Sequence, residues 1–182
     1  GEVAPQLPDQ SRIGDVALQE GPAHALQVAV EGLNVRGDDA RLARAVHAAG
    51  IRTPAAGEIV HLDGRTGMVY ERVHGQSMLE MLLSKIWRAN AYADQLARLH
   101  AEMHSKMMPA DLPQQRSILQ RKISSAAALP SELRARALAC LDSLPDGQQV
   151  CHGDFHPANV LMTEHGEVVI DWIDSSRGSP LA

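Results

Sequence analysis

The run Val160-Leu161-Met162, the polar turn Thr163-Glu164-His165-Gly166-Glu167 and the run Val168-Val169-Ile170 constrain this chain more than any other stretch. Two β-prone runs around a short polar turn that contains Gly predict an antiparallel hairpin. With a three-residue loop of Glu164 to Gly166, closed by a left-handed glycine, Asn159 falls opposite Asp171. Directly opposed side chains project to one face with Cβ atoms roughly 4.5–5.5 Å apart. That separation suits two oxygen ligands sharing a hard cation, because Mg²⁺ takes oxygen donors at about 2.1 Å and keeps some of its waters. A slip of one residue would send the two side chains to opposite faces.

Just upstream runs His152-Gly153-Asp154-Phe155-His156-Pro157-Ala158-Asn159. Taken singly, each polar residue has an ordinary explanation. Asp in a His-Gly-Asp turn forms turns and caps, Asn ends loops, and Asp171 could cap a buried strand. Jointly they match the kinase type of phosphoryl transfer. There an Asp accepts the proton of the attacking hydroxyl, an Asn five positions later holds magnesium, and a later Asp at a strand end binds magnesium too. Asp154 takes the first role in this reading, and Asn159 and Asp171 the others. A rival reading uses the alternation of His152, Asp154 and His156, with Asp171 as a fourth ligand, to build a transition-metal hydrolase. Gly153 and Pro157 favour a loop over the strand this rival needs, and it leaves Asn159 without a role.

At these residues the chain resembles the aminoglycoside phosphotransferase and choline kinase family, small-molecule kinases with a protein-kinase-like fold. The string from His152 to Leu161 resembles the family's catalytic loop, and Ile170-Asp171-Trp172 its metal-binding strand end. The resemblance implies Asp154 as catalytic base, Asn159 and Asp171 as Mg²⁺ ligands, and His152, with His156, as support for the loop. Gly67 to Gly75 resembles the strand and hinge between the lobes, where backbone groups near Glu71 and Val73 would meet the adenine of ATP, with GTP as an alternative. Asp39 to Gly50 resembles the small-lobe helix. The implied fold is α+β with two lobes. A β-rich small lobe spans 1–73, and a mainly helical large lobe with the catalytic hairpin spans 74–182.

Two departures accompany the likeness. Kinase-type enzymes grip the phosphates with a strand-borne Lys paired to a helix Glu, yet the only lysines here, Lys85, Lys106 and Lys122, follow the hinge. Arg36 stands in as the expected phosphate contact and Asp39 as the helix acid, although Arg's planar fork is no equivalent of an ammonium. Glu20-Gly21-Pro22-Ala23-His24 is a turn signal at the place of the phosphate loop. The missing Lys supports a further alternative, a pseudokinase that binds nucleotide without turnover. The family also continues beyond the metal strand, so the large lobe is expected to be incomplete here.

A net charge of −5 argues against a nucleic-acid partner. It suits a cationic small molecule that carries the acceptor hydroxyl. Cys140 and Cys151 are too few to staple a secreted fold and read as free thiols of a cytoplasmic protein. No apolar run reaches the length of a membrane span. Aromatics make up 3% of the chain, and Phe155, Trp172 and Tyr70 read first as core fillers. Hydropathy spacing predicts strands near 24–31 and 56–73 and helices over 38–49, 78–85, 91–104, 115–127 and from Ser131 through Leu141, with Ser77 as a cap. His100 and His104 sit four apart as in zinc proteases. The Glu follows the first His one position too late for that motif, so both read as surface or packing residues.

Overall fold

The computed structural model describes residues 26–29, 37–62 and 65–180. The turn at Glu20–His24 and Arg36 lie outside the described residues. The architecture is α+β, with strands and one helix first, helices next, and a hairpin near the end. Strand β1 (Leu26–Ala29), helix α1 (Gly37–Ala48) and strands β2 (Ala56–Leu62) and β3 (Arg65–Glu71) form the first unit. The strands make an antiparallel sheet in the order β1-β3-β2. Asp39 in its first turn and His47 in its last match the polarity of the α1 dipole. Gly50, at φ 77, takes the left-handed conformation just past the helix end, where a side chain would be strained.

Helix α1 carries two apolar stripes, and each meets a different partner. Ala40 and Ala43 pack on Met68 of β3. Leu42 and Val46 instead enter a cluster with Ile51, Met103, Met108, Leu112, Val150, Val169 and Trp172. One helix therefore joins the small sheet to the core beneath the hairpin. Arg41 adds an ion pair with Asp111.

Residues 72–75 lead out of β3 to β4 (Gln76–Ser77), which pairs with the hairpin, and then to α2 (Met78–Ser84). Ser77 accepts a bond from the Glu80 backbone while the Glu80 carboxylate accepts one from the Ser77 backbone, a reciprocal cap that starts α2. Helix α3 (Ala89–His104) buries Tyr92, Leu99 and Met103, consistent with its apolar stripe. Helices α4 (Gln115–Ser125) and α5 (Ser131–Ser143) pack on each other more loosely. No residue of α4 is fully buried, and Leu133 of α5 stays 48% exposed. Arg116 closes the end of α5 by donating to the Leu141 and Leu144 carbonyls while it pairs with Asp146. Among the described residues no helix is long and apolar enough to cross a membrane.

Leu42→Ala opens a cavity in the cluster that joins the two parts. It is expected to lower the unfolding free energy by about 2–5 kcal/mol, whereas Leu83→Ala, at a site 71% exposed, should change it by less than about 0.5 kcal/mol. Urea titration of both variants checks this. Equal effects would contradict the role given to α1.

Candidate active site

Strands β5 (Gln149–Cys151) and β8 (Ser176–Gly178) pair antiparallel, with Cys151 opposite Ser176. Everything between them is an excursion that leaves and returns at one anchored base. It holds the 152–159 loop, the hairpin of β6 (Val160–Thr163) and β7 (Gly166–Val169), and the segment 170–175. Val150 is fully buried and Cys151 nearly so, which explains why the loop starts from a fixed point. Both cysteines are free; burial pushes the Cys151 thiol pKa up and keeps it protonated.

His152 is 2% exposed and uses both ring nitrogens on backbone. Its Nδ1 accepts the Asp154 N–H at 3.3 Å, so Nε2 carries the proton and donates to the Ile170 carbonyl at 2.9 Å. The ring thus ties the loop that carries Asp154 to the strand end that carries Asp171. Burial lowers its pKa, opposed in part by the Ile170 bond and the charges of Asp171 and Asp154. Both carboxylates therefore act on this one imidazole.

The Asn159 side chain is buried, and its Nδ2 donates to the Asp154 carbonyl at 3.0 Å. That bond fixes which way the amide faces and leaves Oδ1 without a partner among the described residues. His156 Nδ1 accepts the Ala158 N–H, and its Nε2 lies 3.3 Å from Asn159 Nδ2 and 3.5 Å from Asp154 Oδ2. The Asp154 side chain is 58% exposed. The structure thus brings Asp154, His152, His156 and Asn159 together in one bonded loop.

The hairpin forms, but one residue out of the expected register. Thr163 pairs with Gly166, Met162 with Glu167 and Val160 with Val169, so the loop is Glu164–His165 alone. The Thr163 hydroxyl accounts for the tighter turn. It accepts the His165 N–H at 3.1 Å and donates to the Gly166 carbonyl at 2.7 Å. Gly166 is left-handed as expected, at φ 113, although it lies in the ladder. In consequence Asn159 faces Ile170, whose N–H donates to the Asn159 carbonyl at 3.0 Å, and Asp171 lies one step beyond. Asp171 then leaves the strand at φ 61, the one non-glycine positive φ among the described residues. This breaks the alternation that would otherwise have sent it to the far face of the ribbon. Asp tolerates that conformation better than most residues, and such strain gathers at functional sites.

The other expected residues are more dispersed. Glu71 closes β3, and its N–H donates to the Ala55 carbonyl while its carboxylate accepts the Ala55 N–H. Val73 lies in the linker, which leans on the hairpin so closely that a side chain at Gly75 would strike the Met162 carbonyl. Asp39 is half-buried in the first turn of α1. None of β1, β2 or β3 carries a lysine. Arg52 had no sequence signal, yet it grips the hairpin: its guanidinium donates to the His165 carbonyl and pairs with Glu167, and its own carbonyl accepts the Val169 N–H. The hydrolase reading of His152, Asp154 and His156 is corrected here. Both His152 nitrogens are spent on backbone, and no group of three His, Cys, Asp or Glu residues is gathered for a metal among the described residues.

The phosphotransferase enzyme family matches residues 35–182, most of the chain, and the chain belongs to that family. A choline/ethanolamine kinase family protein from Mesorhizobium loti is similar in structure, with TM-score 0.53 and 19% identity. The match covers 96% of this chain and 63% of that one, so the chain spans under two thirds of the neighbour's length. At this identity the likeness shows the fold, which is the protein-kinase-like α+β fold of that neighbour. No curated protein sequence matches the chain.

Gly153, at φ 87, abuts the Asp174 carbonyl, so a Cβ there would be strained and would collide with backbone. Gly153→Ala is expected to lower the thermal midpoint clearly, and an unchanged midpoint would contradict this packing. A second expectation concerns pH. Burial, then the nearby His100 charge, lowers the His104 pKa, and burial likewise lowers that of His152, each from an ordinary value of 6.5. Both rings take up a proton more readily in the unfolded chain. Stability from this source is therefore complete above about pH 6.5 and falls as pH drops below it. Thermal melts between about pH 7.5 and about pH 5.5 should show that fall, with a shallower slope in His104→Gln. An identical slope in the variant would contradict it.

Proposed function

We propose that the protein is an ATP- and Mg²⁺-dependent kinase that moves the γ-phosphate to a hydroxyl of a small molecule. The observation that carries this reading is the pairing of an exposed carboxylate with an oriented amide. Asp154 is open to a substrate, and Asn159 spends its nitrogen on the Asp154 carbonyl and keeps its oxygen for another ligand. Asp154 accepts the proton of the acceptor hydroxyl. His152 fixes the loop, and the His156 ring lies beside Asp154. The donor set is all oxygen, which fits a hard cation. Asn159 Oδ1 and the Asp171 carboxylate would hold Mg²⁺, and bound there it would neutralise charge on the phosphates.

We assign the adenine contact to the hinge. The Glu71 N–H is already used by Ala55, so the contact passes to the Val73 backbone, which has no partner among the described residues. The lobe boundary is placed at 73/74, within this hinge. Arg36 is the proposed phosphate contact and Asp39 its companion acid. An acceptor that is cationic suits the net charge of −5, GTP is the alternative donor, and free thiols suit a reducing cytoplasm. The absence of a lysine from β1, β2 and β3 favours one second reading, a pseudokinase that holds nucleotide without turnover.

Thermal-shift titration with Mg²⁺ and ATP or GTP, combined with a turnover assay over a panel of hydroxyl compounds, separates the two. A nucleotide that binds only the folded state raises the midpoint. Asp154→Asn should cut transfer by about 100-fold or more, as expected for loss of a general base, and leave the nucleotide-induced shift in place. A midpoint shift with no turnover on any acceptor would favour the pseudokinase. No shift with either nucleotide would contradict both readings.

A further inference from the structure

Five rings stand in sequence from α3 to the strand end. His104 meets His100 at 4.1 Å between centroids, and His100 stacks on Phe155 at 5.1 Å with only 17° between planes. Phe155 meets His152 at 5.7 Å, and His152 meets Trp172 at 4.5 Å. The column starts on a helix anchored by Tyr92, Leu99 and Met103 and ends beside Asp171. Phe155 is the joint within it. It packs against both of the larger apolar clusters and immediately follows Asp154.

We propose that His100 is a positioning residue for phosphoryl transfer: its ring, held by α3, seats Phe155 and so sets the direction of the neighbouring Asp154 carboxylate. The proposal rests on the kinase reading and deepens it. The Asp154 carboxylate is mostly in solvent, with the His156 ring 3.5 Å away. Its aim is therefore governed by the backbone at 154–155. The hydrogen bonds of Asp154 fix its own N–H and carbonyl to His152 and Asn159. The carbonyl bond pins one edge of the 154–155 peptide; the seat of the Phe155 ring sets where its other end lies. One side of that ring rests on His152, within the buried core. The near-parallel face against it belongs to His100, a residue exposed on the helix surface. Burial does not require a ring there, and a small side chain would fold as well. A flat ring at 100 closes the slot in which Phe155 could otherwise swing. Misplacement of a reacting group by a fraction of an ångström slows transfer without removing binding.

The test uses the 182-residue chain, which contains a single Phe. Ring-labelled phenylalanine therefore yields one aromatic spin system, that of Phe155. His100→Ala should move and broaden that signal while the thermal midpoint stays within a few degrees. It should lower kcat about 3- to 10-fold, the range that loss of one aromatic stacking contact corresponds to, with KM for the nucleotide within twofold. His100→Tyr restores a flat ring without adding a second Phe, and should bring back both the signal and kcat. If the wild-type chain neither transfers phosphate nor responds to nucleotide, the kinase reading fails and this proposal fails with it. If the wild type is active and His100→Ala keeps full kcat, or Tyr restores nothing, the kinase reading stands and this proposal is overturned.

Discussion

The buried imidazole of His152 is the interaction on which the site depends. One ring nitrogen accepts from the Asp154 backbone and the other donates to the Ile170 carbonyl. The two bonds tie the loop to the strand end at the open end of the hairpin. Loss of either would leave a polar nitrogen buried without a partner, which is costly in a low-dielectric interior. The same burial depresses the ring's pKa and so favours the neutral form, whose Nδ1 can accept a bond. Around this link the antiparallel β5–β8 ladder supplies the anchored base, and the Asn159 amide locks the loop from the other side.

A second constraint operates at longer range. Helix α1 presents one stripe to the small sheet and another to the cluster under the hairpin, with Val46 and Val169 among its most buried members. Arg52, just past the helix, then holds the hairpin turn through its side chain and Val169 through its carbonyl. Any movement of the small sheet is thereby felt at the hairpin. The place where a kinase would carry its phosphate-gripping lysine has none on the strands described. The residues proposed for proton transfer and metal holding thus match the kinase pattern more fully than those proposed for gripping the nucleotide.

The order of elements was legible because helical and strand periodicities are local. Ser77 marked the start of α2, and helical spacing marked α3. The hairpin was legible for the same reason, but its register was not. The deciding atom is the Thr163 hydroxyl, which closes a two-residue turn in place of a three-residue one. Asp171 then turns left-handed, a conformation that no residue pattern announces. Arg52 escaped notice because its partners lie far along the chain, at His165 and Glu167. His100 read as a surface residue, which it is; its stack on Phe155 exists only in three dimensions.

The central claim is that one neutral imidazole, protonated at Nε2, bridges the base loop and the metal strand end. Ring ¹⁵N spectra of His152, taken before and after addition of Mn²⁺ with a non-hydrolysable ATP analogue, test it most directly. The account predicts an acceptor-type Nδ1, a protonated Nε2 protected from exchange, and strong paramagnetic broadening once the ion binds near Asn159 and Asp171. A ring protonated at Nδ1, or one whose signals the ion leaves sharp although the nucleotide binds, would contradict it.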